Sequence, residues 1–244
     1  MKLSRFVAKL DWLGRTAAAG MIAAGRVRVN GAVVRDGFYE VDRFTSVEVD
    51  GKTVQVGANA VYLMVNKPAG ILSATSDLEY RTVVDLLDHP QKEELHLVGR
   101  LDRASTGLVL LTNDGRWSKL LMHPERNVPK VYEVETKEVI PAEAVEAFAR
   151  GFYFHTEDIT TLPAELELLG PNQARVTLVE GRYHQIKRMF HRVGAQVRSL
   201  HRASIGPWRL PEDMAPGQWR EVSPEWHQLE GGNDVVNRVN PAYT

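Results

Sequence analysis

The chain has 244 residues, 43% hydrophobic and 25% charged, with no cysteine. Those are ordinary globular proportions, so disorder, collagen and coiled coil are excluded for the chain as a whole. The missing thiols exclude a disulfide framework, thiolate metal sites and any thiol nucleophile. The net charge of −1 hides an asymmetry. Residues 1–35 carry seven Lys/Arg against one acid, and residues 181–209 carry seven against none, leaving −14 for the rest. Two basic islands in an acidic body point to contact with a polyanion, and islands of this size suit extended RNA better than a single nucleotide. No apolar run approaches the ~20 residues of a membrane helix. Lys2, Arg5, Lys9 and Asp11 make the start unlike a secretory leader, so a cytoplasmic protein is the expectation.

In chain order, Leu3, Phe6, Leu10 and Leu13 recur at helical spacing. Gly14 breaks that helix, and Thr16 is placed to cap a second one ending at Gly25. Val27 to Val34 alternates around Asn30-Gly31, and valines flank Asp50-Gly51, so two hairpins are predicted. The basic residues Lys2, Arg5, Arg15, Arg26 and Arg28 fall on the helices and first hairpin as candidate RNA contacts. Residues 56–60 read as a linker.

Beyond the linker, Val61 to Val65 and Gly107 to Thr112 are near-continuous apolar runs that suit buried strands. Asn113-Asp114-Gly115 signals a turn and helix cap leading to a short helix up to Met122. Val131 to Thr136 alternates, Pro141 opens a helix stopping near Gly151, and Ala174 to Glu180 reads as a strand. From His184 to Val193 a helix sets Ile186, Met189, Phe190 and Val193 on one side, with His184, Lys187, Arg188, His191 and Arg192 on the other. Strands and helices interleave without a βαβ rhythm, so the fold class expected is α+β with a mixed, largely antiparallel sheet. Residues 231–244 have no periodicity and are expected to be a loose tail.

Common chemistry signatures are missing: there is no GxxxxGK[ST], GxGxxG after a strand, HExxH or GxSxG. His184 and His191 have no third ligand in view and are expected to meet phosphate or water, not metal. The most distinctive run, VGRLDRASTGLVLLTNDG from Val98 to Gly115, sets Asp102 in a glycine-flanked loop before a buried strand. Arg100 and Arg103 flank it. On the residues alone this is either a turn aspartate neutralised by arginines or a carboxylate held ionised as base or nucleophile. Lys67-Pro68 reads equally as a strand-ending turn, Tyr132 as a packing tyrosine and Lys187 as a solvated helix lysine.

At this run the sequence resembles a pseudouridine synthase. GRLD with TGLVLLTNDG resembles the segment bearing that superfamily's catalytic aspartate, here Asp102. NKPAG at 66–70 resembles its first motif, and Lys130-Val131-Tyr132 its K-x-Y motif. LVEGRYHQIKRMF at 178–190 resembles its last motif, whose basic residue pairs with the aspartate and here is Lys187. Residues 3–50 resemble the RNA-binding module named after ribosomal protein S4. The resemblance implies an S4-like domain at 1–58 and a catalytic domain at 60–230. It further implies a cofactor-free, metal-free isomerisation of uridine with Asp102, Tyr132 and Lys187 as catalytic residues. Arg100, Leu178, Lys67, Gln185 and Arg188 are the substrate contacts it suggests. The wording EGRYHQIKRMF, SLHR and APGQWR is closest to enzymes acting on 16S ribosomal RNA, free or in a 30S assembly intermediate, with U516 as target and a monomer as the acting form. A 23S uridine, or a non-catalytic ribosome-binding factor, are the alternatives.

Overall fold

The computed structural model describes residues 1–225, and the chain divides into two compact units at 60/61. The expected tail at 231–244, and the end of the expected catalytic domain, lie outside the described residues.

In the first unit, α1 (Leu3–Val7) and α2 (Arg15–Ala23) precede β1 (Val27–Val29), β2 (Ala32–Val33), β3 (Val47–Val49) and β4 (Lys52–Gln55). The strands form an antiparallel sheet in the order β2-β1-β3-β4. Both predicted hairpin turns are present. Asn30 and Gly31 have φ 49° and 79°, and Asp50 and Gly51 have 51° and 74°; paired left-handed residues match the strand twist. Leu3, Val7, Ala18, Ile22, Val27, Val29, Val41, Val47 and Val49 make the core. Two expectations fail here. The first helix stops at Val7, leaving Leu10 and Leu13 half-buried beyond its end. The second helix is capped by Gly14 and not by Thr16, which already lies inside the first turn.

The second unit is built on one sheet. Its strands are β5 (Tyr62–Lys67), β6 (His96–Val98), β7 (Thr106–Thr112), β8 (Lys130–Thr136), and the small hairpin β9 (Tyr153–Phe154) and β10 (Ile159–Thr160), which pairs apart. Then follow β11 (Glu165–Gly170), β12 (Gln173–Leu178), β13 (Val197–Ile205), β14 (Trp208–Arg209) and β15 (Trp219–Glu221). The main order is β11-β12-β8-β13-β7-β5-β15, with β14 beside β13 and β6 beside β7. Only β7 and β13 run parallel; the other pairs are antiparallel. The fold is therefore α+β with a mixed, mostly antiparallel sheet.

The two apolar runs are the buried strands β5 and β7. Their alternation feeds two cores: Leu63, Val65, Val109 and Leu111 face one side, and Met64, Leu108 and Leu110 the other. A strand covered on both faces has no reason to alternate in polarity, which is why these read as continuous runs. Helix α3 (Gly115–Met122) is capped as predicted: the Asp114 carboxylate accepts from the N–H groups of Arg116 and Trp117. Helix α4 (Ala144–Arg150) ends at Gly151, φ 81°, but starts three residues after Pro141. Helix α5 (Gln185–Arg192) buries Ile186, Met189 and Phe190 as its pattern predicts. Residues 197–205, read from the sequence only as part of a basic island, are the longest strand of the sheet.

Candidate active site

Asp102 sits in the loop between β6 and β7, at the crossing of β7 with its parallel neighbour β13. That crossing requires a glycine. A Cβ at Gly107, φ +105°, would lie 2.3 Å from the carbonyl oxygen of Arg202. The loop backbone is pinned from below. Lys67, fully buried at the end of β5, donates its Nζ to the carbonyl oxygens of Pro68, Arg103 and Ser105 at 3.1, 3.2 and 2.7 Å. Arg202, also buried, donates Nε to the Leu108 carbonyl at 2.8 Å and Nη1 to that of Arg100 at 3.2 Å. The Leu101 N–H donates to Ser73 Oγ, and the Gly70 N–H to the Arg103 carbonyl.

With its backbone fixed, the Asp102 carboxylate remains 29% exposed and meets α5. Lys187 Nζ donates to Oδ2 at 2.6 Å across 85 residues of sequence. His184 Nε2 lies 3.3 Å from Oδ1. The short Lys187 contact is a charge-assisted hydrogen bond. The turn entering α5 is locked by Gln185, which accepts from the Arg182 N–H and donates to the Glu180 carboxylate at 2.6 Å.

Two further lysines feel the same buried region. Burial pushes the Lys67 ammonium down to about 8, with Asp102 opposing and Arg202 reinforcing the shift. Burial likewise brings Lys130 down to about 8, helped by Arg202. Lys130 donates to the carbonyls of Val128 and Val179. Tyr132, two residues on, is buried between β12 and β13, with the Arg202 guanidinium 6.0 Å from its ring centroid.

Comparison with known proteins decides what this arrangement belongs to. The family described as RNA pseudouridylate synthase matches residues 61–192. Ribosomal small subunit pseudouridine synthase A of Pseudomonas aeruginosa is 48% identical over 225 residues, covering 92% of this chain and 98% of that protein. The chain belongs to the RNA pseudouridylate synthase family. The Escherichia coli K12 relative of the same name is 40% identical over 92% of this chain and 97% of its own. A crystal structure of a pseudouridylate synthase superposes with a TM-score of 0.66 at 34% identity, covering 91% of this chain and 96% of that one.

For an RNA pseudouridine synthase the structure redistributes several sequence-predicted residues. Asp102 and Lys187 are brought together, and Lys67 lies directly beneath their loop. Tyr132 shares the buried core with Leu101 of that loop and lies 6.0 Å from the Arg202 guanidinium. Leu178 is buried at the end of β12. Gln185, expected at the substrate, has both ends of its amide engaged in the turn. Arg188 is held by both oxygens of Glu157 at 2.7 and 2.8 Å and lies over the Phe154 ring. Arg100 is exposed, whereas Arg103 lies 4.0 Å over the Tyr80 ring. The cation that meets Asp102 is therefore not a flanking arginine but Lys187 of α5. His184 also meets this carboxylate.

The second basic island also looks different in space. Arg202 is interior, while Arg182, Arg188 and Arg198 pair with Glu180, Glu157 and Glu135. In the first unit Arg26 is clamped by both oxygens of Asp50, Arg28 donates to the Gly31 carbonyl, and Lys2 lies over Phe38. Arg5 and Arg15 are exposed. Sequence reasoning missed His184 as a partner of Asp102, and Arg202 altogether as an interior residue. A run of alternating residues around Arg202 was the only available signal. Among the described residues no group of three His, Asp or Glu is arranged to hold a metal ion.

Proposed function

We propose that this synthase isomerises a uridine of 16S ribosomal RNA, U516 by resemblance, with Asp102 as its catalytic carboxylate and no cofactor. Relatives named for the ribosomal small subunit, matching along nearly their whole length, support that choice of RNA. The reaction breaks the N1–C1′ bond, turns the uracil and joins C5 to C1′. The C5 proton leaves and N1 gains one, so no atom is gained or lost overall, and no redox partner is needed.

The observation carrying the assignment is the 2.6 Å contact of Lys187 with a partly exposed Asp102, in a loop whose neighbouring carbonyls are held by the buried Lys67 and Arg202. Lys187 holds the carboxylate in line while it attacks or stabilises the sugar or base. Arg100, exposed two residues earlier, takes the place of the displaced base or holds its phosphate. Tyr132 offers a ring to the uracil, and its hydroxyl helps remove the C5 proton. Leu178 lies against the base as an apolar contact. Stacking on an aromatic is worth about 1–3 kcal/mol, enough to offset much of the cost of unstacking the target. Residues 1–58 act as an S4-like module that docks on ribosomal RNA or a 30S intermediate, and the acting form is a monomer.

The test is to map pseudouridine on ribosomal RNA from a strain lacking the gene, then with wild type or Asp102→Asn restored. A small-subunit site that returns only with the wild type is the expected result. Return with Asp102→Asn sinks the catalytic assignment, and a missing site in 23S RNA sinks the choice of RNA.

A further inference from the structure

We infer that His184 is a positioning residue: it fixes the plane of the Asp102 carboxylate so that Oδ1 is presented to the uridine while Lys187 retains Oδ2. This rests on the reading of Asp102 as the catalytic carboxylate.

The torsion that turns an aspartate carboxylate is broad and roughly two-fold, so one contact does not define its plane. Lys187 alone, on Oδ2, would let the other oxygen swing. His184 Nε2 on Oδ1 is a second contact from the opposite end of the group, and the two together leave one orientation.

The two contacts are unequal. Oδ2 sits in a short charge-assisted hydrogen bond, which occupies one of its lone-pair directions. The 3.3 Å separation at Oδ1 exceeds the ~2.7–2.9 Å of such a bond, so Oδ1 is the oxygen more easily released to a substrate.

The backbone supports the same role. His184 has φ 49° and ψ 29°, a left-handed conformation that residues other than glycine seldom adopt. It occupies the N-cap of α5, yet its side chain makes no capping hydrogen bond, so helix capping does not account for the conformation. Its side chain instead reaches Asp102. Tyr183 stacks on the imidazole at 3.9 Å with an 18° interplanar angle, fixing the orientation of the ring. Such unfavourable backbone conformations concentrate where a side chain must be aimed.

The experiment compares His184→Ala, His184→Gln and His184→Asn in single-turnover reactions on a ribosomal RNA fragment, with RNA affinity measured alongside. His184→Ala is expected to slow the reaction at saturating RNA by about 10- to 100-fold, as a misplaced reacting group does, with RNA affinity within about 2-fold of wild type. Glutamine carries an amide nitrogen that reaches Oδ1, so His184→Gln is expected to recover to within about 3-fold of the wild-type rate. Asparagine tolerates the left-handed backbone but is too short, so His184→Asn is expected to remain as slow as alanine.

A wild-type rate for His184→Ala overturns the inference. So does a loss confined to RNA affinity, or an asparagine variant as fast as the glutamine one. If the alanine variant does not fold, the glutamine–asparagine difference decides alone. Asp102→Asn, run in parallel, separates the two readings. Full activity in that variant removes the catalytic role of Asp102 itself. An inactive Asp102→Asn beside a fully active His184→Ala removes only the role of His184.

Discussion

Lys67 Nζ donates to the Ser105 carbonyl at 2.7 Å, joining the end of β5 to the loop that carries Asp102. The lysine is completely buried, and its partners are carbonyl oxygens. What reads in sequence as a strand-ending Lys-Pro turn is therefore a cationic peg beneath the candidate catalytic loop.

This burial makes stability depend on pH. The folded value for Lys67 is about 8 against an ordinary 10.5, so between those values the unfolded chain holds a proton that the folded chain has released. The Lys67 contribution to stability is lowest below pH 8 and rises from there to about pH 10.5. Lys67→Met lacks this term. Urea unfolding at pH 7.5 and pH 10 should show the wild-type stability, minus that of Lys67→Met, larger at the higher pH. A difference that shrinks would mean that burial does not disfavour the charged form.

Lys187→Met keeps the length of the side chain and removes its charge. Asp102 then loses its one short contact, and kcat on a ribosomal RNA fragment should fall by roughly 100-fold, with RNA affinity changed by less than about 3-fold. Arginine at this position should retain more activity than methionine. A raised KM with unchanged kcat would make Lys187 an RNA contact instead.

Gly107→Ala should destabilise the second unit by on the order of 3 kcal/mol, because the added methyl meets backbone and the positive φ is unfavourable for alanine. Gly115→Ala is the control. It begins α3 with nothing within 4 Å of the new Cβ, and alanine favours a helix by up to about 1 kcal/mol. Denaturant titrations of the two variants should move in opposite directions.

In the first unit, exposed Arg15 and clamped Arg26 should differ as RNA contacts. Replacing Arg15 by Gln should reduce the log–log salt slope of RNA binding by about 0.7, the value for one phosphate of a single strand. Arg26→Gln should change it less, because Asp50 already neutralises that guanidinium. Affinity titrations across a salt series give both slopes, and equal changes would place Arg26 at the RNA.

Local rules made much of the fold legible. Continuous apolar runs identified β5 and β7, Asn30-Gly31 and Asp50-Gly51 identified their hairpins, and Asp114 announced α3. The 3.6-residue period over 185–192 identified the face that α5 buries. Each depends on residues within about one turn of helix or one strand of each other. The strand over 197–205 escaped because its arginines and histidine obscure the alternation. Only the sheet reveals that Arg202 is interior.

By itself, then, the sequence determined the class of fold, its turns and caps, and an aspartate set in a distinctive loop. The tertiary structure decided which charges meet. It took Asp102 away from the neighbouring arginines and joined it to Lys187, 85 residues on, and turned Arg202 inward to hold the Arg100 carbonyl, 102 residues back. Backbone preferences act over a few residues, whereas these pairings follow from strand order, and above all from the parallel crossing of β13 beside β7.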